Sequence, residues 1–288
     1  MPDKTFQKEI ELTDNQSLVI KNSNGPIELI ASEGHTLHIE AKIGSDDQRA
    51  VDGRDVVVEE TPDQVTVKIE PTDAKRLWGW KFGGESVRVD LFIKAPKRVP
   101  ITAKTLNGNI KSLGLNSLEE LKSMDGGLEV VECSGKPILK TMNGRIVASS
   151  CSFGQLEAKT MNGPLSVETI INPNGCYYLK STHGDLEFLI PRGSDAFIEA
   201  KSMQGEIKCQ LKLTDLKRKG TWLSGTMGGG GAKVGLKSMS GRITIAEFRG
   251  TNPLEQEEEL ISKMLKEGRI SQDEASKLKE AIFGQEGS

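Results

Sequence analysis

The chain has 288 residues, enough for one elongated domain or two compact ones, with 31 glycines, 5% aromatic residues and a formal charge of -3. That balance excludes a general nucleic-acid binder, which needs a concentrated basic surface, and no apolar run approaches the roughly 20 residues that cross a bilayer. Four cysteines do not make a secreted disulfide scaffold.

Met1 to Glu9 is polar and lacks the apolar run of a secretory signal. The expectation is a soluble, cytoplasmic protein whose membrane contact would be peripheral, at the inner face. From Ser17 to Ile30 and from Thr36 to Ile43 the residues alternate as strands do, and Asp46, Asp47, Arg49, Asp52 and Gly53 make a polar loop. Val56 to Val58 and Val65 to Ile69 suggest a further strand pair, because β-branched residues dominate them. This less regular part reads either as the first coils of a solenoid or as its cap.

Next comes an aromatic loop near 75–84. Trp78, Trp80 and Phe82 stand beside Lys75, Arg76 and Lys81, flanked by glycines. Aromatic anchors with basic neighbours suit a membrane interface or a partner surface, which makes these six residues candidate binding residues. The competing reading is a loop folded over one end of the stack to bury its indoles.

A repeat then dominates the chain. Lys104-Thr105-Leu106-Asn107-Gly108 returns as Lys122 to Gly126, Lys140 to Gly144, Lys159 to Gly163, Lys180 to Gly184 and Lys201 to Gly205, each followed two residues later by Ile or Leu. Successive glycines are 18, 18, 19, 21 and 21 residues apart. Lys237 to Gly241 closes the series and Lys21 to Gly25 is an early outlier. Strand-like alternation before each corner, and an Asn-Gly or similar pair at it, predicts strand, corner, strand. Asn-Gly is also a hairpin signal, so a meander or sandwich is the rival. The register favours stacked coils of roughly 18–21 residues: an all-β, single-stranded β-helix or β-solenoid spanning 1–250. Stacking would align Lys104, Lys122, Lys140, Lys159, Lys180 and Lys201 outside, Leu121, Leu139, Ala158, Leu179 and Ala200 inside, and Met124, Met142, Met161 and Met203 beside the corner. Gly25, Gly108, Gly126, Gly144, Gly163, Gly184, Gly205 and Gly241 would be structural corners that use glycine's backbone freedom. Two strands ending at prolines, Val89 to Pro96 and Leu186 to Pro191, mark coil boundaries.

Beyond Asn252-Pro253 the spacing becomes helical, and Ser271-Gln272-Asp273-Glu274 has the form of a capping box. The expectation is a small C-terminal α-helical hairpin over 251–288, with Ile261, Leu265, Leu278 and Ile282 as a candidate apolar surface for self-association or an unknown protein partner. This segment carries nine acidic residues against five Lys or Arg, so the lysine row lies on a nearly neutral remainder.

Catalytic chemistry is sparse. His35 and His38 form no metal motif, His183 takes the place of a corner Asn, and Gly228 to Gly231 suits a turn better than a nucleotide cradle. Asp125, Asp185, Lys140 and Lys159 could serve a carbohydrate-active enzyme, but no spacing establishes a pair. No catalytic, metal or cofactor-binding residue is assigned, and no cofactor or nucleic-acid partner is expected. Cys133 and Cys151 fall at equivalent places in successive coils and are expected as buried, reduced thiols.

The repeated Lys-Thr/Ser-Met-Asn-Gly units and Leu91-Phe92-Ile93-Lys94-Ala95-Pro96 resemble the bacterial putative-adhesin β-strand-repeat family, a domain of unknown function that includes YvlB-like proteins. The resemblance runs from about Leu18 to Phe248 and implies a β-solenoid without an established active site. Glu257 to Ile282 is similar to the short helical domain of YvlB-like envelope-stress proteins, where it usually precedes the β region. The expected function is a non-enzymatic interaction scaffold linked to envelope stress or homeostasis. The alternatives are a peripheral membrane or anionic-glycan binding protein and a carbohydrate-active β-helix enzyme.

Overall fold

The computed structural model describes residues 3–71 and 87–248, together with Leu265 and Ser271. The chain divides into two units, 1–247 and 248–288, and the first holds all of the architecture below. Its N-terminal part contains β1 (Asp3–Glu11), β2 (Ser17–Lys21), β3 (Ile27–Ser32), β4 (Thr36–Gly44), α1 (Gln48–Asp52), β5 (Arg54–Glu60), β6 (Gln64–Pro71) and β7 (Arg88–Pro96). The middle contains β8 (Ile101–Asn107), β9 (Ile110–Leu113), β10 (Leu118–Asp125), β11 (Leu128–Val131), β12 (Ser134–Asn143) and β13 (Ile146–Phe153). It continues through β14 (Leu156–Asn162), β15 (Leu165–Ile171), β16 (Cys176–His183) and β17 (Leu186–Pro191). The last strands are β18 (Ala196–Ser202), β19 (Ile207–Cys209), β20 (Thr214–Lys219), β21 (Trp222–Met227), β22 (Ala232–Ser240) and β23 (Ile243–Phe248).

The strands stack as coils with two main faces. On the first face the hydrogen-bonded order is β6, β2, β8, β10, β12, β14, β16, β22, β18, and all nine strands are parallel. The second face runs β7, β3, β9, β11, β13, β15, β17, β23, β19. Each of the nine coils contributes one strand to each face. Stacking order departs from chain order at both ends: the earliest coil, β2–β3, lies inside β6–β7, and the last, β22–β23, lies between β16–β17 and β18–β19.

Side-chain alternation builds the core. Val67, Ile20, Ala103, Leu121, Leu139, Ala158, Leu179, Leu236 and Ala200 form one buried column in register along the first face. Leu91, Ile27, Ile110, Leu128, Ile146, Leu165 and Leu186 form its counterpart on the second. Burying a Leu or Ile side chain contributes roughly 1.5–3 kcal/mol, so each coil gains most from the neighbours that cover it. Three buried aromatics, Phe153, Tyr177 and Phe188, fill the wider part near β16 and β17. The Tyr177 hydroxyl donates to the Phe153 carbonyl and accepts from the Asn172 N–H at 2.6 Å, which satisfies its polar end.

Both ends of the stack are closed by antiparallel strands. β5 pairs with β6, β4 with β7, and β1 with β4 at one end; β21 pairs with β18 and β20 with β21 at the other. All six residues of β20 are exposed, and Lys217, Arg218 and Lys219 put charge on that outer strand, which discourages further strand pairing. The Val56–Val58 and Val65–Ile69 segments thus form a hairpin, and the polar loop after β4 carries the five-residue helix α1, capped by the Asp47 side chain.

The helical part of the expected fold class does not stand. Among the described residues 69% are strand and 3% helix, and no helix reaches seven residues, so no C-terminal helical hairpin is present in the fold they define. Segment 251–288 lies outside the described residues apart from Leu265 and Ser271. Apolar spacing and a capping box are local propensities, and helices of about 12 residues are marginal without tertiary packing, which the spacing alone does not supply.

Candidate functional site

The first face brings one residue type into a single row. Lys68, Lys21, Lys104, Lys122, Lys140, Lys159, Lys180, Lys237 and Lys201 are direct register partners across the nine parallel strands. At the usual interstrand spacing of about 4.8 Å this row is roughly 38 Å long. Trp222, the register partner of Lys201, closes it and donates its indole N–H to Glu199 at 3.0 Å.

The residue after each lysine explains how the row is held. Its side chain turns inward, and its hydroxyl donates to the carbonyl of the corner glycine one coil away. Ser123 reaches Gly108 at 2.8 Å, Thr141 reaches Gly126 at 2.8 Å, Thr160 reaches Gly144 at 2.9 Å and Ser181 reaches Gly163 at 3.2 Å. Ser238 and Ser202 continue the pattern to Gly184 and Gly241. In the earliest coil Asn22 replaces the hydroxyl and donates to Gly25 and Val89 carbonyls.

These bonds draw successive corners so close that no side chain fits. A Cβ on Gly126 would lie 2.0 Å from the Gly108 carbonyl oxygen, on Gly144 2.1 Å from that of Gly126, and on Gly205 1.8 Å from that of Gly241. Gly25, Gly108, Gly163, Gly184 and Gly241 meet the same obstacle. Glycine is therefore required by close backbone approach at every one of these corners, and at Gly25, Gly108, Gly163 and Gly184 a positive φ adds the backbone freedom expected from sequence.

Beside the lysines, at the corner edge, runs an apolar column: Leu106, Met124, Met142, Met161, Met239 and Met203, between 42% and 65% exposed. Together with Phe197 on β18, seven of the ten large apolar side chains exposed among the described residues stand on this face. Lysine stems and methionines enclose a shallow groove of about 350 Å³ over the central coils, lined by Lys122, Met124, Lys140, Met142, Lys159 and Met161 among others.

The electrostatics of the row are uneven. Lys104 pairs with Glu120 at 2.5 Å, Lys140 and Lys159 share Glu157 at 2.9 and 2.7 Å, and Lys68 lies between Glu59 and Glu70. Hydrogen bonds from Lys159 and then Lys140 hold the Glu157 carboxyl below the usual carboxylate range. Among the described residues Lys21, Lys122, Lys180, Lys201 and Lys237 make no ion pair. Tyr178 stands where neighbouring coils have Glu157 and Gly235, with the Lys159 and Lys237 ammonium groups 5.3 and 5.5 Å from its ring centre. Like charges directly opposite one another on a sheet are destabilising, and at this spacing they lie within a Debye length. The lysines sit on central strands, so protection of a sheet edge does not account for them.

The remaining sequence candidates separate. Lys75, Arg76, Trp78, Trp80, Lys81 and Phe82 lie outside the described residues, as do Ile261, Leu278 and Ile282; Leu265 is exposed. Asp125 accepts from the Asn143 amide at 2.6 Å and Asp185 from the Arg242 backbone N–H at 2.8 Å, so both serve coil-to-coil contacts. His183 stacks between Asn162 and Ser240 as a corner residue. His38 meets Glu9 at 3.0 Å and His35 meets Asp14 at 3.6 Å. No group of three or more His, Cys, Asp or Glu among the described residues has a metal-holding arrangement. Cys133 and Cys151 are buried free thiols on neighbouring coils. Sequence reasoning placed Lys201 after Lys180 and missed that Lys237 stands between them. The full Lys-Ser-Met-Ser-Gly unit at 237–241 was the available signal.

The fold and this face define a β-solenoid with a lysine-lined parallel sheet. Residues 118–246, from β10 into β23, match the Toastrack DUF4097 family, and this is the part of the chain where the resemblance to β-strand-repeat proteins is supported. No curated protein matches the chain. Among solved structures, a putative cell adhesion protein from Clostridium sporogenes is 14% identical, with 86% of this chain and 100% of that chain covered and a TM-score of 0.41. A putative lipid binding protein from Parabacteroides distasonis is 13% identical, covering 85% and 97%, with a TM-score of 0.40. A putative adhesin from Bacteroides fragilis is 12% identical over 85% and 97%, with a TM-score of 0.31.

Proposed function

We propose that the chain is a non-enzymatic binding scaffold whose lysine face holds an extended anionic partner. The observation that carries this reading is the unbroken row of nine lysines on central parallel strands, five of them without an ion pair among the described residues. Such a row raises the energy of the sheet and is relieved by an anion laid along it. The acids and bases that could serve carbohydrate chemistry, Asp125, Asp185, Lys140 and Lys159, are engaged in contacts within and between coils, which supports binding over catalysis. A setting at the bacterial cell envelope, with contact to the inner face of the membrane, belongs to the same proposal and rests on the family resemblance.

The test is retention of the full chain on immobilised dextran sulfate. Replacing Lys122, Lys180, Lys201 and Lys237 by Gln is expected to lower the salt concentration of elution markedly while leaving the far-ultraviolet circular dichroism unchanged. Elution of the variant at the wild-type salt concentration would remove the lysine row as the binding surface.

A further inference from the structure

We infer that the partner of this face is an anionic lipid bilayer, with the lysine row on the headgroups and the methionine column in the interface; this rests on the face being a scaffold for an anionic partner. The lysines alone would serve any polyanion, but the apolar column beside them would then remain in water. Met124, Met142, Met161, Met239 and Met203 with Leu106 are each at least 42% exposed, and they line the corner edge from β8 to β18, interrupted in the β16 coil by Thr182; Ser23 and Glu70 take the equivalent place in the β2 and β6 coils. An apolar stripe beside a cationic one is the pattern of surfaces that lie in a membrane interface, where buried apolar area and attraction to anionic headgroups add. Lysine stems serve both roles, covering apolar surface while the ammonium reaches the phosphates. Phe197 and Trp222 add aromatic groups at the end of the same sheet.

The alternatives fit less of the geometry. A second copy docked on this face would bring lysine row against lysine row, with few acids to separate them. A soluble anionic polymer matches the charge and leaves the methionines unused. The bilayer is the occupant that engages both columns, along a sheet long enough to present all nine lysines at once.

Sedimentation with vesicles of equimolar phosphatidylglycerol and phosphatidylcholine, run beside binding to soluble dextran sulfate, tests the inference. Three full-length proteins are compared: the wild type, the variant with Lys122, Lys180, Lys201 and Lys237 changed to Gln, and the variant with Met124, Met142 and Met161 changed to Gln. The lysine variant is expected to lose roughly a hundredfold or more in vesicle partitioning, since each lysine near an anionic surface contributes about fivefold. The methionine variant is expected to lose roughly tenfold or more on vesicles and to bind dextran sulfate as the wild type does. Vesicle binding that ignores the methionine changes, or dextran sulfate binding without vesicle binding, would overturn the bilayer and leave the anionic scaffold standing. Binding to neither would overturn both. Concentration-dependent self-association abolished by the methionine changes, without vesicle binding, would give the face to a second copy and overturn the bilayer too.

Discussion

Gly126 separates two reasons for glycine. Its φ lies outside the left-handed region, yet a Cβ there would stand 2.0 Å from the Gly108 oxygen, and that oxygen is held in place by the Ser123 hydroxyl. Gly34, in the turn before β4, has φ +84°, and a Cβ added to it would meet nothing within 4 Å. Gly126→Ala is therefore expected to cost about 4 kcal/mol or more and Gly34→Ala only about 1–2 kcal/mol, measured by denaturant unfolding. Equal costs would contradict close backbone approach as the reason for glycine at position 126. At the residue scale the sequence displays which glycines matter, because they recur in register with Lys and Ser or Thr. It cannot display why, because the obstructing carbonyl belongs to another coil.

The strands were legible wherever alternation and a corner coincide, as in β10, β12, β14 and β16, where inward Leu or Ala and outward Lys keep a period of two. Each central coil has a second bend that was not legible. Gly114, Glu132 and Ser150, 18 residues apart, all adopt left-handed backbone with φ of 71°, 53° and 53°. Only one of the three is glycine, so no shared residue type marks the bend. It leads into the position of Cys133 and Cys151, whose burial offers a measure of coil integrity. Burial pushes the Cys151 thiol up to about 12, and the side chain is enclosed near the Val130 and Ser149 carbonyls. Cys176, at the start of β16, is exposed. A thiol reagent at mildly alkaline pH is expected to modify Cys176 promptly and Cys151 only after unfolding, as followed by peptide mass spectrometry. Comparable rates at both in the native protein would contradict a closed stack.

For the whole molecule, a one-dimensional repeat states which residues share a column and leaves open which copies are neighbours. The lysine and leucine columns were readable as sets, whereas the insertion of β22–β23 between β16–β17 and β18–β19, and of β2–β3 inside β6–β7, was not. Both insertions follow from long-range pairing that no local pattern encodes, and both place a chain-terminal coil under an outer coil that carries the antiparallel end strands. The helical spacing near the C-terminus falls on a segment outside the described residues, and spacing of that kind is a local pattern that needs tertiary packing to become structure. The length of the lysine face depends on the coil order, because the inserted coil sets Lys237 between Lys180 and Lys201 and extends the row to nine.

Paired cysteine substitutions in a Cys176→Ser background test that order directly. Neighbouring strands lie about 4.8 Å apart, within the roughly 4.4–6.8 Å Cα separation of a disulfide, and strands two coils apart lie at about 9.6 Å, beyond it. Mild oxidation is predicted to link Lys180→Cys with Lys237→Cys, and Lys237→Cys with Lys201→Cys, and to leave Lys180→Cys and Lys201→Cys unlinked. A disulfide between positions 180 and 201, with none from 237 to either, would contradict this coil order and remove Lys237 from the row.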